Sequence, residues 1–442
     1  MGAGLGEISH HSPGVRSRRG HGDLWLKNPA AAVSRGRRLA ARLRAGGASP
    51  TGRRRFLPQN PHIMNGRCYY CLEDLDPMRG CWDHWAGDCV FRSWTWLATW
   101  WAHYGVPPGR PERQLTIYTA EDADGQVVAA LPCYQVHSLV HGRTLRLLGD
   151  GEVCSDHLGL LAGPARRDEA IEAIAEVLAA DPTWDLIDLD GVDDDDEATA
   201  SLLAALAERG CDVSREPSHR CWSIALPEDW ETFLALQSKS HRKQLRQLQR
   251  RVLEGGRAHW HLVRSAAEFD ETWRRLVELH QRRRQSLGQP GCFSWPRWAG
   301  FHCDVARRLL DEGRLRLSWL ELDRAAAAAG YHLAGTRTTV AYQGGVDPGR
   351  LDEEPGRLSM IRAMQHALEE GHATFDLLRG DEAYKAHWRA VPHTTARWLA
   401  AAPRALPRWR RRAWSSARRW GRAARQWTGQ SGSQQIHART RP

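Results

Sequence analysis

The chain has 442 residues, 42% hydrophobic and 26% charged, which is room for two or three packed domains and excludes wholesale disorder. Its formal charge of +10 invites a nucleic-acid function, but residues 1–67 and 400–442 each carry +11, so the stretch between them is −12. An acidic body with two basic tails offers no basic face of its own, and nucleic acid is not expected among the partners.

No run approaches the roughly 20 apolar residues of a membrane span, and the N-terminus lacks the apolar centre of a secretory signal. Ten cysteines are too sparse for a disulfide scaffold, so a cytoplasmic protein with reduced thiols is expected. Residues 1–66, rich in Gly, Arg, Ser and Pro, read as a disordered basic arm. Cys68, Cys71, Cys81 and His84 have a zinc-like spacing. Their neighbours read as a strand and a helix start, however, and no metal is expected.

Trp94, Leu97, Trp101 and Tyr104 recur at 3, 4 and 3 residues, the buried face of a helix. Strands follow at 114–119 and 127–136, a helix at 167–180 and a buried strand at 184–189. Asp193–Asp196 reads as a solvated turn opening a helix. From Pro227 a second unit begins. Trp230–Leu253 reads as one helix with a strongly basic middle, ended by Gly255-Gly256. Helices at 268–286 and 295–312 precede three strands over 314–344. A helix at 357–370 and strands at 374–378 and 395–401 complete the pattern. The order of elements repeats, with Asp185 and Asp376 at matching places. The expectation is a mixed α/β fold of two similar domains, 67–225 and 226–402, followed by a basic tail, 403–442.

Pro355-Gly356 opens a helix directly after a strand and loop. Its first turn offers unsatisfied N–H groups and the positive dipole end, with Arg357 alongside, an arrangement suited to a pyrophosphate. Asp376 lies in an apolar strand, where desolvation would raise its pKa toward that of a general base. Lys385 and Arg379 could hold an anion. Tyr384 or Tyr342 could protonate a leaving group. Against this stands a plainer reading, in which Asp376 and Lys385 form a buried ion pair that fixes the last strands. Basic residues 239–251 read either as a solvated face or as a lip for an anionic ligand.

Tyr342, Gly345, Asp347, Pro355-Gly-Arg-Leu358, Gly371, Phe375-Asp-Leu-Leu-Arg-Gly-Asp381, Tyr384-Lys385 and Trp388 together resemble the CelD-like acetyltransferases. These are a branch of the GCN5-related N-acetyltransferase (GNAT) superfamily, related to the peptidoglycan-bridge (Fem-type) aminoacyltransferases. Val90-Phe-Arg-Ser93 and Ser155-Asp-His-Leu158 extend the resemblance into the first half. It implies two tandem GNAT-like domains and acyl transfer from acetyl-CoA or another acyl-CoA to a small-molecule or glycan acceptor, in exopolysaccharide or envelope biosynthesis. It assigns Asp376, Lys385, Tyr384 and Tyr342 to catalysis. The donor falls to Pro355, Gly356, Arg357, Leu358 and Arg379. The superfamily's phosphate loop is incomplete here, so an aminoacyl-tRNA donor and a non-catalytic scaffold at the membrane surface stand as alternatives. In the tail, Trp409, Ala413, Ala417, Trp420, Ala424 and Trp427 form a stripe with eight Arg between them. This suits a helix lying on an anionic membrane at residues 407–427, with docking on the acidic body, disorder, or nucleic-acid contact as the alternatives.

Overall fold

The computed structural model describes residues 64–106 and 113–414; most of the expected N-terminal arm and the end of the tail lie outside them. In chain order the first half runs β1 (Asn65–Tyr69), α1 (Arg79–Ala86), α2 (Trp94–Tyr104), β2 (Gln114–Glu121), β3 (Val127–Ser138), β4 (Gly142–Leu147), the two-residue β5 (Leu161–Ala162), α3 (Arg167–Ala180), β6 (Leu186–Asp193), α4 (Glu197–Glu208) and β7 (Asp212–Ala225). Two linking helices follow, α5 (Trp230–Leu236) and α6 (Lys239–Leu248). The second half is β8 (Ala258–Leu262), α7 (Ala266–Ser286), α8 (Pro296–Asp311), β9 (Leu315–Leu322), β10 (Ala325–Ala334), β11 (Thr338–Val346), α9 (Pro355–Glu369), β12 (Thr374–Arg379), α10 (Ala383–His387) and β13 (Val391–Ala401). Apart from β5 and the α5–α6 link, the halves repeat one order of elements.

All the strands join one mixed sheet, ordered β1-β2-β3-β4-β6-β13-β7-β12-β11-β10-β9-β8, with β5 on β3. The last strands of the halves are exchanged. β7 closes the first half in sequence but pairs antiparallel with β12 of the second, while β13 pairs antiparallel with β6 of the first. The two exchanged strands pair with each other along most of their length. The sequence boundary at 225/226 therefore falls at the end of a strand that works for the other half. Pro217 fits inside β7 because the ladder to β13 shifts register at that point, where a missing N–H costs no bond.

Three expectations need correction. The strand at Asn65–Tyr69 takes in the last residues of the expected arm, and Gly66 is pressed so close to α3 that a Cβ would lie 2.3 Å from the Ala173 carbonyl. The long basic helix is two: Gln237 is extended and Ser238 starts α6 afresh, its hydroxyl accepting from His241 N–H at 3.3 Å. The tryptophan helix α2 is buried on more than one face, because Trp96 and Trp100 join Trp94, Leu97 and Tyr104 in the core. Trp96 lies edge-on to Phe91, to Phe301 of α8 and to Tyr342 of β11, with centroids 4.9, 5.1 and 5.8 Å away. The first-half helix thus packs into the second half through aromatic side chains, each pair adding roughly 0.5–1.5 kcal/mol beyond the area it buries.

The beginning of the tail docks on the acidic body. Residues 405–414 are helical. Arg404 pairs with Asp185 and with the Trp184 carbonyl, Arg408 with the Gly210 carbonyl, Arg411 with Asp212 and Ser214, and Trp414 lies edge-on to His141 at 5.0 Å. Several of the arginines expected to face lipid are therefore engaged by the protein itself. Residues 415–427 lie outside the described residues. A chain ending at Ala402 should melt a few degrees lower, as one to two kcal/mol of docking corresponds to roughly 2–8 °C for domains of this order. Scanning calorimetry would read it, and an unchanged Tm would show that the helix adds nothing.

Candidate functional site

β11 and β12 are parallel but pair only at Thr338–Val340 with Thr374–Asp376. Beyond that point they part. β12 bends away through Leu378, which adopts a left-handed φ of +58°. The second half of β11 is left without a β12 partner. The N–H of Gly344, in this open stretch, donates to the side chain of Gln343 at 3.0 Å.

A cleft of about 860 Å³ of empty space, counted to its open mouth, lies over β10 and the open stretch of β11. Gly330 and His332 of β10 and Gln343, Gly344 and Gly345 of β11 form its floor. Gly356, Ser359 and Met360 of α9, Tyr384 of α10 and His280, Arg283 and Arg284 of α7 form its walls. The position of α9 follows from local sequence. Glu354 turns the chain through a left-handed φ of +56°, and Pro355 then takes the first helical position, where its missing N–H is harmless. The first turn of α9 thus meets the cleft at Gly356, where helix-terminal N–H groups suit an anion. Gly345 is required by a close approach: a Cβ there would lie 2.4 Å from the backbone nitrogen of His280.

Residues 239–386 match the acetyltransferase (GNAT) domain family. The matched stretch thus begins at α6 and ends within α10, and every residue that lines the cleft lies inside it. No curated protein matches the sequence. Among solved structures, FemX superposes with a TM-score of 0.53 at 12% identity, covering 74% of this chain and 96% of its own. L-PGS from Bacillus licheniformis gives 0.45 at 11% identity over 80% and 97% of the two chains. A tandem GNAT protein from the clavulanic acid biosynthesis pathway gives 0.36 at 14% identity over 77% and 99%. The FemX likeness bears on fold alone: this is a mixed α/β, GNAT-like architecture.

Of the site residues expected from sequence, Gly356 and Tyr384 line the cleft. Burial raises the Tyr384 phenol, so it stays protonated. Tyr342 does not reach it. Its neighbours Ala341 and Gln343 face the cleft, so strand alternation turns Tyr342 to the opposite face. There its hydroxyl donates to the Val153 carbonyl and contacts His302 Nε2. Pro355 and Leu358 are buried in the core around α9, and Arg357 pairs with Glu354.

Asp376 and Lys385 do not pair with each other. The Lys385 ammonium is fully enclosed, donating to the carbonyls of Leu378, Arg379 and Gly380 at 3.0, 2.8 and 3.1 Å and pairing with Glu382 at 3.0 Å. It pins the bend of β12, with no face left for a ligand. Asp376 turns toward the first half. Its Oδ2 lies 2.9 Å from His157 Nε2, while Oδ1 accepts from Leu378 N–H at 2.8 Å. The other nitrogen of His157 lies 2.8 Å from Asp193. Arg379 is bound by Asp156, which accepts from its backbone N–H at 2.9 Å and from its guanidinium. Asp193 and Asp196, expected to be solvated, also point inward, the latter to Arg92 at 2.5 Å. The segment Ser155–His157 of the first half thus grips β12 where it leaves β11.

His280, His332, Gln343 and Ser359 of the cleft were not legible as site residues. The one sequence signal near them is Tyr342-Gln-Gly-Gly345, two glycines in a buried strand. Burial depresses His332 to about 4, so its imidazole is neutral at pH 7. The unfolded chain binds this proton below about pH 6.5 and the folded chain does not, so stability is complete above 6.5 and is lost as pH falls toward 4. At about 1.4 kcal/mol per unit the full loss is roughly 3 kcal/mol. Urea unfolding at pH 7 and 4.5 should show it, and His332→Gln should flatten that slope. An equal slope in the variant would remove His332 from the account.

Proposed function

We propose that the protein is an acyltransferase that binds an acyl-CoA in the cleft over β10 and β11 and passes the acyl group to an amine or hydroxyl. The observation that carries this is the coincidence of three features in one cleft: the stretch of β11 left unpaired by β12, a helix N-terminus at Gly356, and a protonated phenol, Tyr384. The unpaired edge of β11 offers amide groups to an extended pantetheine arm and to the thioester oxygen. The acceptor nitrogen or oxygen bonds to the acyl carbon as the C–S bond breaks. The thiolate takes its proton from Tyr384. The acceptor's proton passes to the imidazole of His280 in the cleft wall.

The finer expectations belong to this reading: an acetyl group, a glycan or amino-sugar acceptor in exopolysaccharide or envelope synthesis, and a cytoplasmic site. Contact of the tail with an anionic membrane belongs to it too, supported by Trp409, which is 66% exposed on the docked helix. An aminoacyl-tRNA donor is the rival, kept open by the incomplete phosphate loop. Among the described residues no helix is long and apolar enough to cross a membrane.

The test is thermal stabilisation by CoA or acetyl-CoA, which at ~100 times Kd should add roughly 2.7 kcal/mol. Gly356→Asp should weaken that binding at least tenfold by setting a carboxylate against the phosphates. Tyr384→Phe should slow transfer at least tenfold with little change in affinity. No shift with any CoA species would sink the reading. Wild-type affinity in Gly356→Asp would displace the phosphates from α9.

A further inference from the structure

We propose that the β3–β4 turn, at Leu139-Val140, is a second point of contact with an anionic membrane, beside the docked tail helix; this deepens the tail contact in the reading above and rests on it. Exposed hairpin turns are ordinarily built from Gly, Asn, Asp, Ser or Pro. Here the turn carries Leu139, 92% exposed, and Val140, 57% exposed. The reversal does not need them. Ser138 Oγ accepts from His141 N–H at 3.0 Å, and Gly142 takes a positive φ of +75°. Two large apolar side chains are thus held out in water by neighbours that make the turn.

The tail helix, residues 405–414, lies at the base of the same hairpin. Trp414 is edge-on to His141, and a Cβ on Gly142 would lie 2.7 Å from Arg410 Nη1. Docking sets this helix with its cations inward: Pro407, Arg410, Arg411 and Trp414 share a small pocket with His141 and Asp185. Leu406, Trp409 and Ala413, at spacings of 3 and 4, are exposed on its outer face. Eleven large hydrophobic side chains are exposed among the described residues, and four of them, Leu139, Val140, Leu406 and Trp409, belong to these two touching elements. A cluster of this kind marks an interaction surface.

The charge beside it selects the occupant. Residues 68–399 carry −12, yet 136–149 hold Arg143 and Arg146 and no acid, and 403–442 hold eleven Arg and no acid. One carboxylate, Asp185, serves three part-exposed guanidiniums, Arg143, Arg404 and Arg410. Positive charge is therefore in excess at the base of the hairpin. Apolar tips beside excess arginine match the acyl boundary and the phosphate layer of an anionic bilayer. Nucleic acid would satisfy the arginines and leave Leu139 and Val140 in water.

The experiment is sedimentation of the full chain at low salt with vesicles of phosphatidylglycerol and phosphatidylcholine, and with phosphatidylcholine alone. Wild-type protein should bind the anionic vesicles at least tenfold more tightly. Leu139→Ser/Val140→Ser should weaken that binding at least tenfold and leave Tm unchanged, because both side chains are exposed in the free protein. Leu139→Phe/Val140→Phe should retain it. Trp409→Ser reads the tail helix separately and should also weaken it. Undiminished binding in the Leu139→Ser/Val140→Ser variant would overturn the hairpin contact and leave the tail contact standing. Equal binding of the wild type to both vesicles, or binding to neither, would overturn hairpin and tail contact together.

Discussion

His157→Ala is expected to lower the unfolding free energy by about 3–5 kcal/mol, the usual cost of breaking a buried ionic cluster by removing one partner. His157 lies between Asp193 at 2.8 Å and Asp376 at 2.9 Å. Without it two carboxylates from different halves face each other with no cation between them. Part of the loss is backbone: His157 sits at a φ of +60°, which alanine tolerates poorly and asparagine well. His157→Asn should recover that part only.

The pH dependence separates charge from packing. Burial opposes the charged imidazole, but Asp376 and Asp193 outweigh it and hold His157 well above its ordinary value of 6.5. A raised folded value means stability fully present below about pH 6.5 and lost as pH rises through that raised value. Urea unfolding of the wild type between pH 6 and 9 should therefore show a decline that both variants lack. Parallel curves for wild type and variants would show that His157 is held neutral. Because this cluster anchors β12 at its bend, the variants should also bind CoA less tightly, whereas an equally destabilising core substitution far from β12 should not.

The second large effect is expected at Gly345. A Cβ there meets His280 N at 2.4 Å, the Leu279 carbonyl carbon at 2.8 Å and His280 Cα at 2.9 Å. All three are backbone atoms of α7, so no side-chain rotation relieves the clash. Gly345→Val must push α7 off β11, and overpacking of this kind costs about 3 kcal/mol or more. The same shift moves His280, Arg283 and Arg284, one wall of the cleft. Loss of CoA-induced stabilisation should accompany the fall in Tm. Gly344→Ala is the control. Its Cβ would have a single neighbour, the Ala329 carbonyl at 3.3 Å, and the Tm should fall much less. Equal, small losses at both positions would show that α7 is free to move.

Most of the local structure was determined by sequence alone. The 3.6-residue pattern of 167–180 coincides with α3, and the apolar runs over 315–346 become β9, β10 and β11, because a helix face or a buried strand needs only its own residues to announce it. Pro355-Gly356 likewise marked the start of α9 through local backbone chemistry. The repeat of the two halves was legible as an order of elements. Tertiary structure decided what those patterns could not. β7, Asp212–Ala225, carries Arg215, Glu216, Pro217, Ser218 and His219, and no apolar alternation marks it. It becomes a strand because β12 and β13 supply partners on both sides. The exchange of β7 and β13 is invisible to any local window, since each strand pairs across the whole length of a half.

The same holds for the site. Asp376 and Lys385, nine residues apart, looked like partners. Asp376 instead binds His157, 219 residues away, and Lys385 turns to the three carbonyls of the bend. Burial of a charge compels a partner, and sequence can announce the need for one. Which partner answers depends on the chain that folding brings near, and here the first half supplies it.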